Sequence, residues 1–424
     1  MKFNKYKNIF LAGLLVLTAC KPDIDVAPAT SGSADFTTYI AVGDSQTAGY
    51  ADGGLYRAGQ INSFPNIIAQ QLKAVGGGTF SQPLFSEAQA SGSGYKKLQK
   101  FNTDGSPVIV DEPATAVRTT TPIVLFTKYQ GDNNNYGIPA LKVQQVLAPQ
   151  VGNANPYFER LLPGSFPTNN TTYLDFITAK PYTFFTCWLG NNDALLYAVG
   201  GGVGDTLTPE AQFTQLYTAT IEKLTAGGKK GAVATIPDVS TIPYFTTVTI
   251  PALLAGVQKA APGVANIIIS ARNEAGVYAP RAATAADLVT LTFPTSKLGV
   301  NGYGLSPFNP IENQYVLDAS EVASVKAAVA SYNQTINSVA AAKGLAVFDA
   351  FTFLNTIKQK GLVVDGVNLS ASFISGGIFS LDGVHLTPRG YAIEANEFIK
   401  AINGKYNSSI PLANVSGFAG VTFP

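Results

Sequence analysis

The chain has 424 residues, enough for one large domain or two to three smaller ones, each with a buried core. Its 28 basic and 27 acidic residues leave a formal charge of +1, and charged residues make up only 13%, about half the usual share. With no long run of lysine or arginine, this balance argues against a nucleic-acid partner. There is a single histidine, His385, so any chemistry that needs an imidazole falls on that residue. One histidine and one mature cysteine cannot build an ordinary zinc site, and neither a metal nor a cofactor is expected.

The N-terminus reads as a targeting segment over residues 1–20. Lys2, Lys5 and Lys7 precede an apolar stretch from Ile9 to Leu17, too short for the roughly 20 residues that span a bilayer. Leu17-Thr18-Ala19-Cys20 follows. This run resembles a bacterial lipobox, in which the cysteine is lipidated and becomes the first mature residue. The plainer alternative is an ordinary signal peptide with an incidental cysteine. On the lipobox reading Cys20 anchors the protein to a membrane, and Lys21 after it does not resemble an inner-membrane retention signal. The expected location is then the outer membrane, on its periplasmic or surface face. Cys187 remains as the one free cysteine, and no disulfide can form. Residues 21–35, rich in Ala, Pro, Ser and Gly, read as a flexible tether.

Beyond the tether, strands and helices alternate. Strands are expected at Tyr39–Val42, Thr183–Leu189, Ala232–Ile236 and Leu345–Phe348. Helices are expected at Asn66–Val75, at Glu210–Thr225 closed by Gly227-Gly228, at Glu321–Lys343 capped by Asp318 or Ser320, and at Pro388–Ile402. The last has Thr387 as its cap, Pro388 in its first turn and Gly404 just past its end. Short apolar strands alternating with helices predict an α/β fold with a mostly parallel sheet covered on both faces. The domain is expected over 36–405 and a tail over 406–424. Residues 76–180 and 244–317, rich in Gly, Pro, Thr and Asn, read as long insertions over one end of the sheet.

In open parallel sheets, ligands bind beyond the carboxyl ends of the strands. Three polar clusters fall at such ends or in loops: Gly43-Asp44-Ser45, Gly190-Asn191-Asn192-Asp193, and Asp382-Gly383-Val384-His385. Each has an unremarkable reading, since Gly-Asp-Ser is common turn chemistry and Gly-Asn-Asn-Asp is ordinary loop composition. An Asp three positions before a given His is rarer, arising by chance about one time in sixteen from average usage. A hydrolytic serine needs a base, a group to orient the base, and donors for the oxyanion. Ser45, His385, Asp382, the Asn192 amide and the Ser45 backbone N–H offer all of these. No Gly-x-Ser-x-Gly elbow occurs, and Gly200-Gly201-Gly202-Val203-Gly204 lacks the lysine of a phosphate loop.

These clusters, in this order, resemble the blocks of the SGNH or GDSL-type esterase and lipase family. Gly43-Asp44-Ser45 matches the first block, with Gln46 where leucine is usual, Gly190-Asn191-Asn192-Asp193 the third, and Asp382-Gly383-Val384-His385 the fifth. Asn134 to Ala140 runs close to the second block, with Ala140 where a glycine normally supplies an oxyanion N–H. A poorer match for that block lies at Gly92 or Gly94. The resemblance spans about residues 37–403. It implies a three-layer α/β/α sandwich, with Ser45 as nucleophile, His385 as base and Asp382 orienting it. The Ser45 and Ala140 N–H groups and the Asn192 amide would bind the oxyanion, with Gly43, Asp44, Gly190 and Asp193 in support. The implied substrate is a small-molecule, lipid or acylated-glycan ester. A carbohydrate O-deacetylase, or a lipid-anchored binding protein that no longer turns over, are the alternatives. An alanine at position 140 is expected to be strained if the site needs a positive φ.

Overall fold

The computed structural model describes residues 28–424; the leader segment and Cys20 lie outside the described residues. Five parallel strands form the central sheet: β1 (Tyr39–Gly43), β2 (Asn135–Gly137), β3 (Phe184–Trp188), β4 (Lys230–Ala234) and β5 (Ala346–Phe348), in the order β5-β4-β3-β1-β2. All residues of β1 (YIAVG) and β3 (FFTCW) are buried. This continuous apolar character marks parallel strands covered on both faces.

Seven helices of the core follow in chain order: α1 (Ser45–Ala48), α2 (Phe64–Leu72), α3 (Asn192–Val199), α4 (Glu210–Thr225), α5 (Ala319–Lys343), α6 (Ala350–Lys360) and α7 (Pro388–Tyr406). On one face Trp188 meets Phe64 of α2 and Phe398 of α7, with ring centroids 5.8 Å away in each case. On the other, α4 and α5 pack together, with Phe213 stacked on Tyr332 at 4.1 Å. The result is the three-layer α/β/α arrangement.

Register places the site. Gly43 pairs with Gly137 on one side and with Trp188 on the other. The carboxyl ends of β1, β2 and β3 are therefore level. Asp44-Ser45, Ile138–Ala140 and Leu189–Asn192 leave the sheet at one edge of the layer. The chain also reverses its direction of travel across the sheet at β1, which is where open α/β sheets bind ligands.

The observed elements depart from the sequence expectation in three informative places. Residues 135–137 form an edge strand, although Asn-Tyr-Gly carries no apolar run. The β4 strand ends at Ala234 and not at Ile236, because the Asn333 side chain of α5 takes over there, accepting from the Ile236 N–H at 2.7 Å and donating to its carbonyl at 2.8 Å. The last helix continues through Gly404 to Tyr406 and ends at Asn407, which adopts a left-handed φ of 52°. Burial of Ile402 and Tyr406 carries it past the glycine, and the Tyr406 hydroxyl donates to the Gly231 carbonyl at 2.7 Å. Asp318, and not Ser320, caps α5, closing a box with Glu321.

Within 76–180 lies a hairpin, Tyr95–Phe101 with Pro107–Glu112. Within 244–317, a second hairpin pairs Ile268–Arg272 with Tyr278–Ala282. There Ile250, Ile269, Val289, Phe293 and Ile311 form a small core of their own. Residues 30–33 are tied to the end of α7, where the Ser33 N–H donates to the Tyr406 carbonyl at 2.9 Å. No helix of the described residues is long and apolar enough to cross a membrane.

Candidate active site

The chain turns sharply after β1. Asp44 caps α1 by accepting the Gln46 N–H at 3.1 Å, and Ser45 becomes the first residue of that short helix. Gly43 must be glycine, since a Cβ there would stand 2.0 Å from the Thr47 hydroxyl and 2.7 Å from the Trp188 carbonyl. Ser45 Oγ then lies 2.8 Å from His385 Nε2, and His385 Nδ1 lies 2.8 Å from Asp382 Oδ2. A carboxylate only accepts, so Nδ1 carries the proton and Nε2 is left to accept from the serine hydroxyl. The sequence-predicted trio is thus brought together across 340 residues of chain.

Asp382 is held by more than the histidine. Its Oδ1 accepts the backbone N–H groups of Val384 at 2.9 Å and His385 at 2.8 Å, and its Oδ2 accepts the Gly53 N–H at 2.9 Å. Burial alone would push this carboxyl up. The facing His385 charge and these donors more than offset it, holding Asp382 well below the usual carboxylate range.

A turn at residues 51–54 clamps the Asp382 loop. The Asp52 N–H donates to Ser380 Oγ at 2.9 Å, while the Leu381 N–H donates to Asp52 Oδ1 at 2.9 Å. Tyr50 lays its ring 4.6 Å from the His385 ring. Sequence reasoning missed Tyr50, Asp52, Gly53 and Ser380. The only signal was the turn chemistry of Asp52-Gly53-Gly54, and nothing in it points to a partner more than 300 residues away.

The opposite wall comes from the segment after β2. The Ile138 N–H donates to the Gly43 carbonyl at 3.0 Å, which sets the next residues beside α1. Ala140 follows with φ 62°, the left-handed conformation that a glycine would adopt freely. Among the described residues, the backbone N–H groups of Ser45 and Ala140 have no acceptor in the protein. Gly92 and Gly94 differ, because their N–H groups donate to Gln89 at 2.9 Å and Ser91 at 2.7 Å within a turn. The Ala140 N–H is not engaged in this way.

The Gly190 cluster ties these walls together. Gly190 has φ 114° and opens the turn into α3. Asn191 donates its amide to Asp44 Oδ2 at 2.9 Å, and Asn192 donates one amide hydrogen to the Leu141 carbonyl at 3.0 Å. Asp193 accepts from the Val143 N–H at 2.8 Å and the Thr208 hydroxyl at 2.6 Å. Burial pushes Asp44 and Asp193 each up to about 6, against partial compensation by these donors. Cys187 is wholly buried, and burial pushes its thiol up, away from the thiolate a nucleophile requires.

A family model described as GDSL-like lipase/acylhydrolase matches residues 39–398. No curated protein matches the chain. Solved structures do. A putative lipolytic protein of the G-D-S-L family from Desulfitobacterium hafniense DCB-2 is 13% identical at a TM-score of 0.35, covering 86% of this chain and 99% of its own. The lipase/acylhydrolase from Enterococcus faecalis is 12% identical at 0.34, covering 88% and 98%. The extracellular lipase from Streptomyces rimosus is 11% identical at 0.32, covering 87% and 99%. The family match runs from the first residue of β1 into α7, through all the clusters that build the site, and the chain belongs to the GDSL-like lipase/acylhydrolase family.

Proposed function

We propose that this ester hydrolase cleaves carboxylic esters by two-step acyl transfer through Ser45. The observation that carries the reading is the unbroken relay from Ser45 Oγ through His385 to Asp382, with both contacts at 2.8 Å. In the first step His385 Nε2 takes the hydroxyl proton as Oγ attacks the ester carbonyl. The oxyanion accepts from the unengaged N–H groups of Ser45 and Ala140 and from the second amide hydrogen of Asn192. His385 then returns the proton to the departing alcohol oxygen, leaving an acyl-serine. Water, deprotonated by the same nitrogen, releases the acid and restores the serine. Asp382 keeps its negative charge throughout and stabilises the imidazolium.

The substrate in this reading is a small-molecule, lipid or acylated-glycan ester, met by a protein lipid-anchored through Cys20 at the outer membrane. Residues 21–424 assayed on p-nitrophenyl esters from acetyl to dodecanoyl test the chemistry. Ser45→Ala and His385→Ala are each expected to cut kcat by at least about 10,000-fold. Wild-type turnover that survives either change would sink the mechanism. The chain-length optimum separates a deacetylase from a lipase. Fatty-acid labelling of the full-length chain, lost in Cys20→Ala, tests the anchor.

A further inference from the structure

The segment after Ser45 turns back on the relay. Gly49 closes α1 with φ 79°, and a Cβ there would stand 2.5 Å from the Gly59 carbonyl. The turn makes both bonds of a glycine-ended helix: the Gly49 N–H donates to the Gln46 carbonyl at 3.3 Å, and the Tyr50 N–H to the Ser45 carbonyl at 3.0 Å. The Tyr50 carbonyl in turn accepts the Tyr391 hydroxyl at 2.5 Å. Tyr391 stands on α7, whose cap Thr387 is two residues past His385. The Tyr50 backbone is thereby fixed both to the nucleophile's own carbonyl and to the helix that follows the base.

Its side chain reaches the other two members of the relay. The ring centroid lies 4.6 Å from that of His385 at a tilt of 46°, the separation of a direct aromatic pair. The hydroxyl donates to the Gly53 carbonyl at 2.6 Å, and the Gly53 N–H donates to Asp382 Oδ2 at 2.9 Å. That is the oxygen His385 Nδ1 faces. Ser45 and Asp382 hold the imidazole only through its two nitrogens. The Ser45 contact changes character when the proton crosses from Oγ to Nε2, whereas packing against the body of the ring is the same before and after. Tyr157, from the 76–180 segment, meets the Tyr50 ring at 6.3 Å and backs it.

We infer that Tyr50 is the positioning residue of the relay, its ring keeping the His385 imidazole in line between Ser45 Oγ and Asp382 Oδ2 while the proton moves. The inference rests on Ser45 acyl transfer and adds to it the residue that holds the base in place. Tyr50 takes no proton itself, because its hydroxyl is spent on Gly53. A misplacement of about 1 Å in a reacting group can cost about 100-fold in rate, so a contact that fixes the base acts on kcat. A half-buried phenol beside the base could instead be a wall for the substrate, and that role would act on KM.

The test uses Tyr50→Leu and Tyr50→Met, which remove the ring, and Tyr50→Phe, which keeps it. Ring removal is expected to lower kcat on p-nitrophenyl esters by about 10- to 100-fold with KM little changed. Tyr50→Phe should stay within about threefold of wild type, losing only an indirect hydrogen bond. His385 is the only histidine, so the ring nitrogen NMR shifts of an untagged, histidine-labelled protein report its tautomer without ambiguity. The proton is expected on Nδ1 in wild type and Tyr50→Phe, and the two tautomers should mix once the ring is gone. Unchanged kcat and tautomer in both ring-less variants overturn the inference. So does a change confined to KM, a kcat loss with the tautomer intact, or a Tyr50→Phe loss as deep as that of Tyr50→Leu. If wild type turns over no ester, the hydrolase reading falls, and the tautomer comparison still decides whether Tyr50 positions His385.

Discussion

Ala140 sits at φ 62° on a loop whose neighbours leave it little choice. Asn155 donates to the Pro139 carbonyl at 2.8 Å and the Leu141 N–H donates to the Ile138 carbonyl at 3.2 Å, so both flanking peptides are fixed. A left-handed alanine costs about 1–2 kcal/mol, and such strain persists only where surroundings impose it. Replacing the residue with glycine relieves the strain but adds unfolded-state entropy worth about 0.4–1 kcal/mol. Ala140→Gly is therefore expected to raise the unfolding free energy by about 0.5–1 kcal/mol. In urea denaturation the midpoint should move up with an unchanged m-value, and a lower midpoint would contradict the account. From the sequence, strain at this position followed only if φ were positive, and the site residues carried by local motifs were equally readable. Tyr50 and Ser380 were not, because they act through contacts that only the folded turn creates.

At the scale of elements, legibility followed hydrophobic continuity. TYIAV and TFFTCW announce strands because both faces are buried, and Thr387-Pro388 and Asp318 announce helix starts because capping is local chemistry. The β2 strand is silent, since three residues at a sheet edge need no apolar run. Yet β2 delivers the segment that carries Ala140, and Asp193 on α3 is what holds that segment's far end. Its carboxylate accepts from Val143 at 2.8 Å, from Gln144 at 3.4 Å and from the Thr208 hydroxyl at 2.6 Å. Asp193→Ala leaves these donors without an acceptor and is expected to cost about 2–3 kcal/mol of stability. Asp193→Asn keeps one acceptor oxygen and should fold, while the segment carrying Ala140 and Leu141 loosens. Its kcat is expected to fall about 10- to 100-fold with KM little changed, because in the proposed mechanism the displaced donors act on the transition state. A drop confined to KM would move Asp193 out of the positioning role.

Across the whole molecule, the alternation of strands and helices made the central sheet readable, whereas the core of 244–317 was not. Its apolar residues are scattered along hairpins and short turns with no single period, and they meet only in three dimensions. Burial has a second whole-molecule consequence, in proton linkage. Asp44, Asp52 and Asp193 are each pushed up to about 6, with burial the largest cause. Glu394 on α7, buried with neither oxygen hydrogen-bonded, is pushed well above the usual range. Between their unfolded and folded values, the folded chain binds more protons than the unfolded one at these groups. Stability there rises as pH falls, by about 1.4 kcal/mol per pH unit for each group in its window. Asp382 has the opposite sign: its folded value is depressed, so its contribution is present above the unfolded value of 3.8 and is lost as pH falls below it. The groups together place maximum stability on the acid side of neutrality, above the range where Asp382 becomes protonated. Unfolding free energies from urea titrations are expected to be higher at about pH 5 than at about pH 7. Glu394 is raised by burial in the same direction, so its window opens upward from the ordinary carboxylate range. Glu394→Gln removes that proton site, and the fall in stability as pH rises above the ordinary carboxylate range should become shallower. An unchanged slope in Glu394→Gln would mean that Glu394 does not hold its proton in the folded chain across that range.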